Sequence, residues 1–277
     1  MSAPDTEVAD RWIVALDIDG TVLREDGSLG DATAAEITRV AGLGHEVMLA
    51  TGRSVSMTLP VVDTLGITPE YLVCANGAIV LGRDADAPLG YSRVHVDVFD
   101  PTEVLTTIRG HLEGASYAVE DEEGVFRYTG SFPDAALSGS TIKVEFDGLL
   151  GIEATRVVVI SPDHATEDFL SVVDMMGLHK VSYNVGWTAW LDIAPDGVNK
   201  ATGMQFVCDA LGIPTERVLA IGDGRNDIDM LQWAVAGGGL GVAMGQAPPE
   251  VAAVATERTG TDVDDGVAAT LARHFQV

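Results

Sequence analysis

Trp12-Ile13-Val14-Ala15-Leu16-Asp17-Ile18-Asp19-Gly20-Thr21 is the stretch on which the reading of this chain turns. Its run of apolar strand formers, with no polar alternation, predicts a strand covered on both faces, as in parallel sheets. Asp17 then falls at the C-terminal end of that strand, where open α/β sheets bind ligands. Side chains alternate along a strand, so Asp17 and Asp19 can share a direction while Ile18 turns into the core. Gly20 and Thr21 suit a sharp exit from the strand. A lone D-x-D is equally compatible with a polar turn, so the rest of the chain has to supply the context.

Working outward, Asp31 to Leu43 carries an apolar stripe and ends at Gly42 and Gly44, predicting a helix. Glu46 to Ala50 reads as a strand, Ser54 to Leu65 as a helix and Tyr71 to Ala75 as a third strand, followed by an Asn76-Gly77 turn. This order implies a parallel sheet with right-handed crossovers. From about Arg83 the character changes. Candidate strands are Arg93 to Val98, Tyr117 to Glu120, Val125 to Tyr128, Thr141 to Phe146, Thr155 to Ile160, Lys180 to Val185 and Ala189 to Ile193. Candidate helices there are Thr102 to Leu112 and Thr166 to Met176, and Glu120 to Glu123 reads as a solvated hairpin tip. The parallel pattern returns with a helix at Asn199 to Leu211, a strand at Val218 to Ile221, a helix at Asn226 to Ala234, a strand at Leu240 to Ala243 and a helix at Asp262 to Phe275. The expected fold class is α/β, a Rossmann-like three-layer parallel-sheet core made of residues 1–83 and 187–277. An α+β domain, residues 84–186, is inserted between them.

The chain has 277 residues, 47% of them hydrophobic, which is ample for a sizeable core. A formal net charge of −26 argues against a nucleic-acid partner. An anionic small molecule is still compatible, because screening confines distant charges to about 8 Å and the local site decides. No apolar run is long enough for a membrane span and the N-terminus is acidic, so the expectation is a cytoplasmic protein with no membrane partner. The two cysteines, Cys74 and Cys208, each lie in an apolar segment and read as buried free thiols.

Two further stretches carry chemistry. Gly222-Asp223-Gly224-Arg225-Asn226-Asp227 follows a buried strand and opens a helix. A dinucleotide fingerprint is the rival reading, but Asp223 would face the pyrophosphate and Asp227 replaces the third glycine. Asp17, Asp19, Asp223 and Asp227 arriving at one sheet edge would repel one another unless a cation sits between them, and Mg²⁺ with oxygen ligands is the usual solution. Thr51-Gly52-Arg53 stands at a strand end before a helix, a place that favours an anion. Lys200, one of only three lysines, lies just inside a helix after a Pro-Asp-Gly turn.

In order and spacing, Asp17-Ile18-Asp19-Gly20-Thr21, Thr51-Gly52-Arg53, Lys200 and Gly222 to Asp227 resemble the haloacid dehalogenase (HAD) superfamily. The Cys74-Ala75-Asn76-Gly77-Ala78 turn and the insert resemble its Cof-type phosphatase branch with a C2B cap. The resemblance covers essentially the whole chain. It implies that Asp17 is the nucleophile, forming an aspartyl phosphate, and that Asp19 is the general acid and base. It implies phosphoryl oxygens held by Thr51, Gly52 and Lys200, with Asn226 orienting phosphate or metal-bound water. It implies Mg²⁺ bound by Asp17, the backbone carbonyl of Asp19, and Asp223, with Asp227 close by. The family pattern usually has Asn where this chain has Gly224. The implied activity is a Mg²⁺-dependent phosphatase for a small phosphomonoester, foremost a sugar phosphate. A phosphomutase and a non-catalytic metabolite-binding regulator are the alternatives. Tyr117, Arg127, Tyr183, Trp187 and Trp190 are candidate substrate contacts in the cap, and oligomeric state is not readable.

Overall fold

Ile13 to Leu16 forms a strand whose four side chains are completely buried in the computed structural model. The structure describes residues 11–112, 114–133, 137–161, 181–185 (backbone only) and 189–276. The first part runs β1 (Ile13–Leu16), α1 (Asp31–Gly42), β2 (Glu46–Leu49), α2 (Val55–Leu65), β3 (Tyr71–Cys74), β4 (Ile79–Arg83) and β5 (Tyr91–Val96). The middle runs α3 (Thr102–His111), β6 (Ser116–Asp121), β7 (Phe126–Tyr128), β8 (Thr141–Lys143), β9 (Ala154–Ile160), β10 (Val181–Val185) and β11 (Trp190–Pro195). The last part runs α4 (Lys200–Leu211), β12 (Val218–Gly222), α5 (Ile228–Ala236), β13 (Leu240–Ala243), α6 (Pro249–Ala252), β14 (Glu257–Arg258) and α7 (Gly266–His274).

The sheet on which the site is built has the order β14-β13-β12-β1-β2, with every pairing parallel. Alternation along β1 explains why both faces are dry. Val14 and Leu16 pack with Ile37 and Val40 of α1, Val61 and Leu65 of α2 and Leu271 of α7. Ile13 and Ala15 pack with Met204 and Val207 of α4 and Met230 and Leu231 of α5. Helices on both faces make the three-layer architecture, and the C-terminal ends of β1 and β12 come together at one edge.

Several expectations shift in detail. β3 was expected as a third parallel strand; a single parallel bridge, Ala50 to Val73, joins it to the chain leaving β2, and it otherwise pairs antiparallel with β4. β4 and the two-residue β14 escape a periodicity reading because one follows a turn directly and the other is too short to show a pattern. The last helix begins at Gly266, not Asp262, because Thr261 and Asp264 hydrogen-bond each other in a preceding turn. The predicted helix Thr166 to Met176 lies outside the described residues.

The middle part forms a six-stranded sheet, β10-β11-β9-β6-β7-β8. One face packs Tyr117, Val119, Val157, Val159, Leu191 and Ile193 against Val104, Leu105 and Ile108 of α3. β10 pairs antiparallel with β11 at one edge of this sheet. Glu120 to Glu123 is not a solvated tip: Glu120 and Asp121 are buried and only Glu122 and Glu123 are exposed. The strand continues through Asp121 because its carboxylate accepts the backbone N–H groups of Glu123 and Val125 and pairs with Arg127. No helix among the described residues is long and apolar enough to cross a membrane.

Candidate active site

Lys200 is delivered to the sheet edge by its helix cap. Asn199 accepts the Thr202 N–H at 3.1 Å while Thr202 Oγ1 receives the Asn199 N–H at 3.2 Å, so α4 starts at Lys200. The lysine is fully buried. Its ammonium donates to Asp17 Oδ1 at 2.6 Å and to Asp227 Oδ1 at 2.7 Å. Burial works against the Lys200 charge, but the two carboxylates outweigh it and raise its pKa. The contact with Asp17 joins residues 183 positions apart along the chain, and that with Asp227 residues 27 apart.

Asp17, Asp223 and Asp227 are all buried and offer carboxylate oxygens within 4.8 Å of one another. Three carboxylates against one ammonium leave a formal charge of −2 in a dry site. Burial first, then Asp227, pushes the Asp17 pKa well above its ordinary value, with Lys200 opposing. Burial and Asp227 likewise push Asp223 up to about 7. A hard divalent cation fits this set, since it supplies the missing charge and prefers oxygen donors. Asp227 is also fixed through Oδ2, which accepts the backbone N–H groups of Asp223 at 3.0 Å and Gly224 at 2.9 Å. Thr21 Oγ1 donates to Asp223 Oδ1 at 3.4 Å, and Gln246 hydrogen-bonds both the Asp223 carboxylate and the Gly20 carbonyl. Gly20 is required here: its φ is +73°, and a Cβ would lie 2.4 Å from Asp223 Oδ2.

Asp19 reaches the same edge but takes a different partner. Its carboxylate, 65% exposed, is gripped by the Arg53 guanidinium through Nε to Oδ2 at 2.9 Å and Nη2 to Oδ1 at 2.5 Å. It does not belong to the buried carboxylate trio. Thr51 is fully buried, and its Oγ1 accepts the Arg53 N–H at 3.1 Å, which leaves the hydroxyl proton to donate elsewhere. Gly52 lies against Asn76, whose Oδ1 would stand 3.0 Å from a Cβ at that position. Asn226 Nδ2 donates to Asn76 Oδ1 at 3.1 Å, so Asn226 approaches the Thr51-Gly52 turn through Asn76. The departure at Gly224 also has a local consequence. A Cβ there would come within 2.5 Å of Asn226 Oδ1, so glycine permits the present Asn226 rotamer.

Arg53, Asn76 and Gln246 are site neighbours that sequence reasoning did not assign. Arg53 sat inside a quoted motif, and a cation at a neighbouring strand end is a natural partner for Asp19. Ala75 and Asn76 hold φ of 49° and 52°, a left-handed conformation that non-glycine residues adopt at a cost of about 1–2 kcal/mol each. Of the candidate cap contacts, Tyr117 is core, with its ring edge-on to Phe146. Arg127 pairs with Asp121, and the Trp190 indole N–H donates to Asp192 at 3.0 Å. The side chains of Tyr183 and Trp187 lie outside the described residues. Cys74 and Cys208 are free and buried, and burial pushes both thiols up to about 12, which makes them inert.

Residues 14–271 match the haloacid dehalogenase-like hydrolase family. The 5-amino-6-(5-phospho-D-ribitylamino)uracil phosphatase YitU of Bacillus subtilis (strain 168) is 30% identical over 280 residues, covering 96% of this chain and 98% of the relative. The pyridoxal phosphate phosphatase YbhA of Escherichia coli (strain K12) is 27% identical, with 95% and 98% covered. The solved structure of a HAD subclass IIB sugar phosphatase, BT4131, superposes with a TM-score of 0.78 at 21% identity, over 95% of this chain and 98% of that one, and so shares the fold. With the family matched from β1 to α7, and full-length relatives that are phosphatases, the chain belongs to the haloacid dehalogenase-like hydrolases, in their Cof-type phosphatase branch.

Proposed function

We propose that this chain is a Mg²⁺-dependent phosphatase that hydrolyses a small phosphorylated metabolite, foremost a sugar or polyol phosphate, through an aspartyl phosphate on Asp17. The observation that carries this reading is the buried Lys200 ammonium bridging Asp17 and Asp227 beside Asp223, with the exposed Asp19 next to them.

Lys200 holds one oxygen of Asp17, and the other would meet the incoming phosphorus. Attack forms the Asp17 oxygen–phosphorus bond and breaks the bond to the leaving oxygen, which takes a proton from Asp19. Water then attacks phosphorus, gives its proton to Asp19 and releases phosphate, regenerating the Asp17 carboxylate. Asp19 has to turn out of the Arg53 fork to reach the leaving oxygen, and its exposed side chain has room for that rotation. The Thr51 hydroxyl and the Gly52 N–H would donate to phosphoryl oxygens as charge builds on them. Mg²⁺, held by Asp17 and Asp223 with Asp227 alongside, would supply positive charge for those oxygens when bound. The domain limits expected from the sequence, with the six-stranded sheet as cap, belong to this proposal.

The test is phosphate release from a panel of phosphomonoesters by purified protein with Mg²⁺. Turnover by the wild type and its loss in Asp17→Asn are the expected results. No release from any ester would refute the activity, and full activity in the variant would remove Asp17 as nucleophile.

A further inference from the structure

The six-stranded sheet has two unlike faces. One is sealed by α3. Register places Ala118 and Glu120 of β6, Arg156, Val158 and Ile160 of β9, and Trp190 and Asp192 of β11 on the other, with Glu120 directly opposite Arg156. At one end that face is apolar, with Ala118, Phe126, Val158 and Ile160 packed together. At the other end it carries Glu120 and Arg156, both buried, with Arg156 Nε donating to Asp192 Oδ1 at 2.5 Å.

That charged end looks toward the catalytic edge. β10 lies against the 225–227 turn, and the Ser56 hydroxyl in α2 hydrogen-bonds the Ser138 hydroxyl at 2.7 Å and donates to the Ser138 carbonyl at 3.0 Å. Burial opposes the Arg156 charge, but the carboxylates of Asp192, Glu120 and Asp19 raise its pKa, which puts it within electrostatic reach of the exposed Asp19. Glu120 similarly acts on Cys74, two residues before Asn76. Glu120 itself is 1% exposed, and its Oε2 has no hydrogen-bond partner among the described residues. Burial pushes its pKa up to about 7. A buried carboxylate oxygen with no donor among the described residues calls for an explanation, and a ligand hydroxyl is a donor of the right kind.

We propose that Glu120 and Arg156 form an acceptor–donor pair that reads hydroxyl groups on the leaving alcohol, making polyhydroxylated phosphomonoesters the preferred substrate class, with Asp192 positioning Arg156. This rests on the phosphatase reading above. The alcohol emerges beside Asp19, which gives it its proton. Arg156 donates a hydrogen bond to one hydroxyl oxygen, and Glu120 accepts a hydrogen bond from a neighbouring hydroxyl. A leaving group without hydroxyls satisfies neither.

Steady-state kinetics of wild type, Glu120→Ala and Glu120→Gln test this on sorbitol 6-phosphate, ribose 5-phosphate and glucose 6-phosphate against phenyl phosphate, whose leaving group carries no other hydrogen-bonding group. The wild type is expected to have a higher kcat/KM on at least one of the three than on phenyl phosphate. Glu120→Ala should lower that value about 10- to 100-fold, mostly through KM, and leave phenyl phosphate within about twofold. The isosteric Glu120→Gln keeps an acceptor oxygen and should recover part of the loss; it also carries the comparison if the alanine variant does not fold. Equal losses on all substrates, no loss on the favoured one, or a wild-type preference for phenyl phosphate would overturn the proposal. If the wild type hydrolyses none of the four, this proposal falls, while the phosphatase reading itself is decided by the wider panel of phosphomonoesters.

Discussion

Replacing Lys200 by methionine removes the one ammonium that sits among three buried carboxylates. The side chain keeps its apolar stem, so the change is one of charge and hydrogen bonding more than of volume. Two short contacts disappear, to Asp17 at 2.6 Å and to Asp227 at 2.7 Å. Breaking a buried pair by deleting one partner costs about 3–5 kcal/mol, because the other partner stays behind unpaired. In a chain of this size each kcal/mol moves Tm by about 2–4 °C, so the Tm followed by circular dichroism in EDTA at pH 8 should fall by about 6–20 °C. The sign with pH follows from proton binding. Without the ammonium, Asp17 and Asp223 hold their protons more tightly when folded than when unfolded, so the deficit shrinks as pH falls toward 5 and is largest at pH 8. Saturating Mg²⁺ should recover part of it, since a cation that binds only the folded chain stabilises it by mass action. Phosphate release should fall by about 10²–10³ even with the metal present. A Lys200→Met protein whose Tm in EDTA at pH 8 matches the wild type would refute the reasoning, because the ammonium could not then be holding the acids together.

Arg53→Lys keeps a charge but loses the fork that grips both oxygens of Asp19, so kcat/KM should drop about tenfold; an unchanged value would take Arg53 out of the site. Exhaustive chelation should abolish phosphate release, and Mg²⁺ at about 100 times its Kd should restore it and stabilise the fold by about 2.7 kcal/mol. Turnover that survives chelation would exclude a metal requirement. Glu120 rises from an ordinary 4.5 to about 7 in the folded state. Its contribution is therefore complete below pH 4.5 and is lost as pH climbs through 7, by at most about 3 kcal/mol. Urea denaturation in EDTA should show wild-type stability falling more steeply than that of Glu120→Gln between pH 4.5 and 8, and parallel curves would contradict the assignment.

β1, its flanking helices and the alternation around it were legible because burial on both faces leaves an unbroken apolar run, and periodicity records that locally. The four acids, Thr51 and Lys200 were legible because each stands beside a strand end or a helix start, positions that composition marks. Asp17 and Asp19 illustrate the limit. They sit one residue apart at one sheet edge, yet one is locked to a buried lysine 183 residues away and the other is held at the surface by Arg53. Glu120 was misread for the same reason. Four neighbouring acids and a glycine look like a wet turn, and only the pairing of β6 with β9 carries Glu120 into a dry face opposite Arg156. The sequence by itself determined the α/β core, the strand that begins it and the residues capable of the chemistry. Tertiary structure decided which carboxylate is buried, which is exposed and what each one touches, because those outcomes depend on contacts between segments far apart in the chain.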